Sequence, residues 1–192
     1  MSGASQASSS ERKLLIILSN TWPYGIGENF LGDELPYLEA QFDRILVFPV
    51  NPLPTTMEQT TPLGPKTTAY PAYIGQGGVT ASRPKLLLQG LGQFSDPLAR
   101  RELQTRGKGL KRRAVLAYVL GKSAQSLEHI LQVFAQEKLV EQIQAEGQGA
   151  GRLRVVVYSY WYFVSAKVAL DLKAYLQGEL PEEQTEIWAI VM

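Results

Sequence analysis

Residues 13–50 read KLLIILSNTWPYGIGENFLGDELPYLEAQFDRILVFPV. An apolar run at 14–18 leads into a loop rich in proline and glycine, helically spaced leucines follow, and a second apolar run occupies 45–50. Strands buried on both faces of a parallel sheet carry such unbroken apolar runs. The stretch therefore predicts a β-loop-α-β unit. In an open α/β sheet, ligands bind where such loops leave the carboxyl ends of the strands.

The rest of the chain predicts the same architecture. A proline in 67–74 limits that segment to an edge strand, and Pro36 predicts a kink or restart in the first helix. Further elements are predicted as helices at 85–94, 97–105 and 110–146 (broken near 121–126), a strand at 153–158, a helix at 164–176 and a strand at 186–191. Alternating strands and helices predict a doubly wound, mostly parallel, Rossmann-like sheet flanked by helices.

Composition narrows the class of protein. A chain of 192 residues with 45% hydrophobic residues is long enough for one domain with a full core. The absence of cysteine excludes disulfides and thiolate nucleophiles, and a single histidine, His129, excludes a catalytic triad and a multi-histidine metal site. No run approaches the roughly 20 apolar residues of a transmembrane helix. We therefore expect a cytoplasmic protein without a metal.

The two ends of the sequence predict where the folded domain begins and ends. Small polar residues at 1–12 predict a disordered tail, which leaves 13–192 as the folded domain. The final strand pattern stops without the loop or helix that it should feed. This abrupt stop predicts that the domain is truncated at its C-terminal end.

The loop after the first strand is the main candidate site. It reads YGIGE at 24–28 and begins like a dinucleotide-binding fingerprint, but Phe30 occupies the third glycine position. Glu28 also places negative charge where a pyrophosphate would lie against the helix N-terminus. We expect the bare backbone of Gly25 and Gly27, with the Glu28 carboxylate, to suit sugar hydroxyls. The alternative is that Glu28 complements the helix dipole and the glycines form a tight turn.

A second candidate lies at the end of the strand predicted at 153–158. If the sheet is parallel, Tyr160 and Trp161 reach the same edge as the glycine loop. Aromatic side chains with polar tips can stack on sugar rings and donate hydrogen bonds. The alternative is simple packing of a strand-to-helix turn. Ser159 has no base nearby in sequence, so a serine nucleophile is not expected.

A basic block occupies 100–122, where eight cations face one acid although the whole chain carries a net charge of only +1. Lys111, Arg112 and Arg113 begin an amphipathic helix that suits an anionic membrane surface. A recognised nucleic-acid-binding module is missing, so no nucleic acid partner is expected. A solvated face of the helix is the remaining alternative.

Two segments also resemble a known family. WPYGIGENFLGDELPYL (22–38) and VVVYSYWYFVSAKVALDLK (155–173) are similar to the N-terminal domain of bacterial "group 1" glycosyltransferases of the two-Rossmann-domain, GT-B type. The resemblance implies that Tyr24, Gly25, Gly27 and Glu28 line the acceptor side of an interdomain cleft, with Tyr160 and Trp161 nearby. The segment 51–151 adds little to it.

The resemblance implies an acceptor-binding half of an enzyme that transfers a sugar from a nucleotide-sugar to a polysaccharide or lipid-linked acceptor at the inner face of the membrane. The donor would bind a second Rossmann domain, and the family's catalytic histidine would follow residue 192. No catalytic residue and no cofactor are therefore assigned, and the chain alone is expected to be inactive. Two alternatives stay open: a non-catalytic membrane-associated subunit that serves a separate donor-binding partner, and an unrelated Rossmann-type nucleotide-binding protein.

Overall fold

The computed structural model describes residues 11–75, 81–106, 109–161 and 164–191, except for the side chains at 106, 149 and 150. Five strands and six α-helices, with one short 3₁₀ helix at Gln93–Ser95, make up this part of the chain. The elements are β1 (Glu11–Ser19), α1 (Asn29–Gln41), β2 (Arg44–Pro49), β3 (Thr67–Ala69), α2 (Arg83–Gly92), α3 (Pro97–Arg106), α4 (Leu110–Gln136), α5 (Leu139–Ala150), β4 (Arg152–Ser159), α6 (Val164–Glu179) and β5 (Thr185–Val191).

The strands form one all-parallel sheet in the order β3-β2-β1-β4-β5. Helix α1, which joins β1 to β2, packs on one face, while α6, which joins β4 to β5, packs on the other. The winding therefore reverses between β1 and β4, which is the topological switch point of an open α/β sheet. This confirms the predicted doubly wound, Rossmann-like α/β fold.

Each face of the sheet has its own apolar core. On the α1 face, Leu15 and Ile17 of β1 pack with Leu31 and Leu35 of α1. On the opposite face, the alternate residues of β1 pack with α4, α5 and α6. Because β1 is buried on both sides, its sequence is an unbroken apolar run, as parallel strands require.

The structure departs from the sequence predictions in the extents of β1, which is longer, and of β3, which is shorter. Strand β1 starts at Glu11, which pairs with Arg152 and forms an ion pair with Arg154 at 3.1 Å. Glu11 and Arg12 thus belong to the sheet rather than to the predicted tail, and residues 1–10 lie outside the described residues. Strand β3 is an edge strand as predicted, but it covers only three residues. Most of the predicted turn at 75–78 also lies outside the described residues.

The structure contradicts the predicted restart of α1 at Pro36 and the predicted break of α4 near 121–126. Helix α1 continues through Pro36, because Leu31 and Leu35 anchor it against the sheet. Helix α4 continues through Gly121, where an added Cβ would lie 1.9 Å from the Leu86 carbonyl oxygen of α2. The glycine there lets two helices approach closely. The actual break follows Gln136, and Lys138 adopts a left-handed conformation with φ of 51°.

Candidate functional site

The two predicted ligand-binding segments meet at the switch point. The loop 20–28 leaves the carboxyl end of β1, and residues 160–161 leave the carboxyl end of the adjacent β4. We call the region between them the switch-point crevice. Its position matches the place where open α/β sheets bind ligands.

Glu28 joins the two sides of the crevice. Its carboxylate is buried, and Oε1 accepts hydrogen bonds from the Asn20 backbone N–H at 2.9 Å and from the Trp161 indole Nε1–H at 2.6 Å. Oε2 accepts from the backbone N–H groups of Thr21 at 2.8 Å and Trp22 at 3.0 Å. Three consecutive backbone N–H groups of this kind form an anion-binding concavity. Here the protein's own carboxylate fills it.

Neither sequence interpretation of Glu28 anticipated this arrangement. Glu28 immediately precedes α1, but its side chain makes no capping hydrogen bond to that helix. It folds back onto the loop that follows β1 instead. The structure therefore brings Glu28 and Trp161 together as candidate site residues, with Glu28 fixing the shape of the loop.

Tyr160 connects the end of β4 to α1. Its ring packs edge-on against Phe30, with ring centroids 5.0 Å apart, and against Tyr158 at 4.5 Å. The Tyr160 hydroxyl donates a hydrogen bond to the Glu34 carboxylate. Burial raises the pKa of Tyr158, and the Glu34 charge adds to this effect. Glu34 was missed by the sequence analysis, although its spacing of four residues from Phe30 places both on one helical stripe.

The other candidate residues of the loop 20–28 differ in how much of each is exposed to solvent. Tyr24 is buried, which raises the pKa of its hydroxyl, and Tyr73 adds to the rise. At Gly25 an added Cβ would lie 2.3 Å from the Thr21 Oγ1 atom, so a larger residue would have to displace the Thr21 side chain. At Gly27 an added Cβ would meet no atom within 4 Å. Gly27 is exposed and the Trp161 side chain is 40% exposed, so both residues are accessible to a ligand.

Ser159 has a structural role. It is fully buried, and its hydroxyl donates to the Trp161 carbonyl at 3.0 Å and lies 2.9 Å from the Ser165 hydroxyl. These bonds hold the turn from β4 into α6. Among the described residues, its hydrogen-bond partners are the Trp161 carbonyl and the Ser165 hydroxyl, neither of which is a general base.

Most of the basic block lies on α3 and the first turns of α4, while Lys122, farther along α4, donates to Asn51, which bonds Asn20 of the crevice loop. Lys111, Arg112 and Arg113 are exposed, and Lys108 lies outside the described residues. Large apolar side chains are exposed in the same part of the molecule, at Leu98, Leu110 and Val115 of α3 and α4 and at Leu88 and Leu91 of α2. We call this set of cations and apolar residues the α4 tip. Within the described ranges, no helix is long and apolar enough to cross a membrane.

His129 lies on α4 and is not part of the crevice loops. Burial lowers its pKa, and a hydrogen bond to the Pro71 carbonyl partly offsets that effect. In the part of the chain that the structure describes, no group of three or more histidine, cysteine, aspartate or glutamate residues could hold a metal ion.

The sheet order and the crevice define a class: a doubly wound α/β protein of Rossmann-like topology with a candidate ligand site at its switch point. Comparisons with protein-family models, curated proteins and solved structures found no match. A more specific function must therefore be argued from the site itself.

Proposed function

We propose that the chain is the acceptor-binding half of a glycosyltransferase, with a polysaccharide or lipid-linked sugar as the acceptor. The observation that carries this proposal is the switch-point crevice. Its open groups are the Trp161 ring, the Tyr160–Glu34 pair and the backbone at Gly27. Aromatic faces beside carboxylate and backbone hydrogen-bonding groups suit a polyhydroxylated ring, which offers both apolar faces and hydroxyls.

The Glu28 carboxylate argues against a nucleotide in this crevice. Rossmann-type proteins bind a pyrophosphate with free backbone N–H groups after the first strand. Here the N–H groups of Asn20, Thr21 and Trp22 already donate to Glu28. A phosphate would have to displace a buried carboxylate that accepts four hydrogen bonds, and it would face like charge on approach. We therefore place the nucleotide-sugar on a separate donor-binding domain or partner.

The α4 tip supports a lipid-linked acceptor at an anionic membrane. Exposed leucines beside Lys111 and Arg112 combine apolar insertion with attraction to anionic headgroups. A solvated basic face needs no exposed side chain like Leu110, which is 86% exposed. Peripheral attachment would bring the crevice near acceptors that are anchored in lipid.

Saturation-transfer NMR tests the acceptor role with disaccharides, oligosaccharides and UDP- and GDP-sugars as probes. We expect contacts to the sugar rings of saccharides and no micromolar binding of nucleotide-sugars. Gly27→Phe should abolish saccharide contacts, because a large side chain would occupy the open space above the loop 20–28 that the proposal assigns to the sugar. Gly178→Phe is the matched control, since an added Cβ also meets no atom there.

Two results would contradict the proposal. Micromolar binding of a nucleotide-sugar would favour a nucleotide-binding Rossmann protein. Saccharide contacts that survive Gly27→Phe would move the sugar site away from the crevice.

A further inference from the structure

One cation of the basic block lies at the carboxyl edge of the sheet. The Lys122 Nζ atom donates a hydrogen bond to the Asn51 side-chain oxygen at 3.3 Å. Asn51 follows β2 and donates to Asn20, through its backbone N–H to the Asn20 carbonyl at 3.0 Å and through its side-chain Nδ2 to the Asn20 Oδ1 atom at 3.4 Å. These three residues form one polar group, which we call the Lys122 cluster.

Two serines of α4 hold the helix in this position. The Ser126 hydroxyl lies 2.8 Å from the Val50 carbonyl oxygen, just after β2. The Ser123 hydroxyl lies 3.3 Å from the carbonyl oxygen of Val164, the first residue of α6. This part of α4 therefore contacts both the end of a strand and the start of a helix. The backbone of Lys122 is thus held at the edge where open α/β sheets bind ligands.

The Lys122 cluster adjoins the switch-point crevice through Asn20. The Asn20 backbone N–H donates to the Glu28 carboxylate, which also accepts from the Trp161 indole. The carbonyl and side-chain oxygens of Asn20 accept from Asn51 instead. Lys122 and Glu28 thus lie at opposite ends of one hydrogen-bonded chain, with the two asparagines between them.

The charge of Lys122 is not compensated by a carboxylate. None of the ion pairs among the described residues involves Lys122, although it is partly buried, and its partner Asn51 is neutral. By contrast, the partly buried Lys167 of α6 forms ion pairs with Asp96 and Asp171. Withdrawing an ammonium group from water without a counter-charge is unfavourable. An anionic ligand at the Lys122 cluster would supply that counter-charge.

The donors of the cluster suit a phosphate. A lysine ammonium group has several N–H donors, and only one is needed for the bond to Asn51. Lysine binds phosphate as a point charge, whereas the planar fork of arginine is better matched to a carboxylate. A phosphate that joins a sugar to a lipid would place the negative charge at Lys122 and the sugar hydroxyls in the crevice.

From this arrangement we propose that the Lys122 cluster binds a phosphate group on the acceptor sugar whose ring lies in the switch-point crevice. This inference rests on the proposed acceptor function and adds that the acceptor is a sugar phosphate. It assigns Lys122 as the residue that contacts the phosphate and Asn51 as a residue that positions the Lys122 side chain.

Titrations that compare each sugar with its phosphate test the cluster. The probes are glucose, galactose and N-acetylglucosamine, their α-1-phosphates and inorganic phosphate, with binding followed by chemical-shift changes in ¹⁵N NMR spectra. We expect at least one sugar 1-phosphate to bind about ten-fold or more tighter than the free sugar, as one charge-assisted hydrogen bond gives.

Three variants show whether this gain depends on Lys122. Lys122→Gln should reduce the ratio of the two affinities to about one, because glutamine keeps a donor for Asn51 but carries no charge. Lys122→Arg, which retains the charge, should keep most of the gain. Lys173→Gln is the matched control, since it removes the same charge from a partly buried lysine in the second half of α6.

The outcomes separate this inference from the acceptor role. A ratio near one in the wild type, a gain that survives Lys122→Gln, or an equal loss in Lys173→Gln overturns the phosphate site and leaves the crevice proposal intact. Inorganic phosphate that binds as tightly as the sugar 1-phosphate would assign the cluster to free phosphate and overturn its link to the acceptor. If neither sugars nor sugar phosphates bind, the acceptor role fails and the phosphate site with it.

Discussion

At the scale of single residues, Glu28 is the centre of the candidate site. A buried carboxylate that accepts three backbone N–H groups and one indole N–H stabilises the loop it closes. Hydrogen bonds to charged groups contribute more than neutral ones, and a donor left buried without an acceptor is destabilising. Glu28 therefore makes the β1 loop a rigid part of the fold.

Glu28→Gln is predicted to lower the free energy of unfolding by about 2–4 kcal/mol, because an amide offers one acceptor atom where four N–H groups converge. Urea denaturation measures the change, and Trp161 fluorescence should shift as its indole loses its partner. Glu34→Gln is the control, since that exposed residue bonds only the Tyr160 hydroxyl among the contacts described. A loss of less than 0.5 kcal/mol, in the range of ordinary surface changes, would contradict the role of Glu28.

A second residue-scale prediction concerns pH. Burial lowers the pKa of His129 below its ordinary value of about 6.5, so the unfolded chain takes up a proton that the folded protein resists. The folded protein is therefore least affected by His129 above about pH 6.5, where His129 is neutral in both states. As the pH falls from there towards the folded-state pKa, protonation of the unfolded chain lowers the free energy of unfolding. His129→Gln keeps a donor for the Pro71 carbonyl but does not titrate. The stability difference between wild type and variant should therefore change below pH 6.5 in urea titrations; a constant difference would refute the assignment.

At the scale of elements, the contact between α2 and α4 depends on two glycines. An added Cβ at Gly90 would lie 1.6 Å from the Ala117 carbonyl oxygen, and one at Gly121 would lie 1.9 Å from that of Leu86. Both neighbours are backbone atoms, so the helices would have to separate. This contact sets how α4 and its tip are held.

Gly121→Ala is predicted to destabilise the protein by about 1–3 kcal/mol, although alanine is the better helix former. Thermal unfolding of the variant should show the loss. Gly178→Ala, in an open position on α6, is the control and should be neutral or slightly stabilising. If Gly121→Ala raised the stability, the close approach of α2 and α4 would be wrong.

At the scale of the whole molecule, charge is unevenly distributed. The near-neutral chain carries its basic block at the α4 tip, beside exposed leucines. The candidate sugar site lies at the carboxyl edge of the sheet. One surface is thus suited to a membrane and another to a saccharide.

Lys111→Gln with Arg112→Gln is predicted to weaken binding to anionic vesicles by about 2 kcal/mol, at roughly 1 kcal/mol for each charge near the surface. Vesicle sedimentation at low salt should show the loss, and added salt should release the wild type because the Debye length shortens. The paired control, Arg83→Gln with Lys85→Gln, removes the same charge from the start of α2. Equal retention of the protein on neutral and anionic vesicles would contradict electrostatic binding of the basic block to a membrane.

The local sequence determined most of the fold. Apolar runs identified β1, β2 and β4, since strands buried on both faces need apolar residues at every position. Alternation of strands and helices then implied the parallel sheet, and the parallel sheet implied that the Tyr160 and Trp161 segment meets the glycine loop. These signals are local or follow from chain topology.

Tertiary structure alone decided the rest. The bond between Glu28 and Trp161 joins residues 133 positions apart, and nothing near Glu28 in sequence indicates that its carboxylate turns back to the loop. Gly121 looks like a helix breaker until the α2 backbone is seen against it. Such features depend on contacts between residues that are far apart in the chain, and a single sequence does not specify those contacts directly.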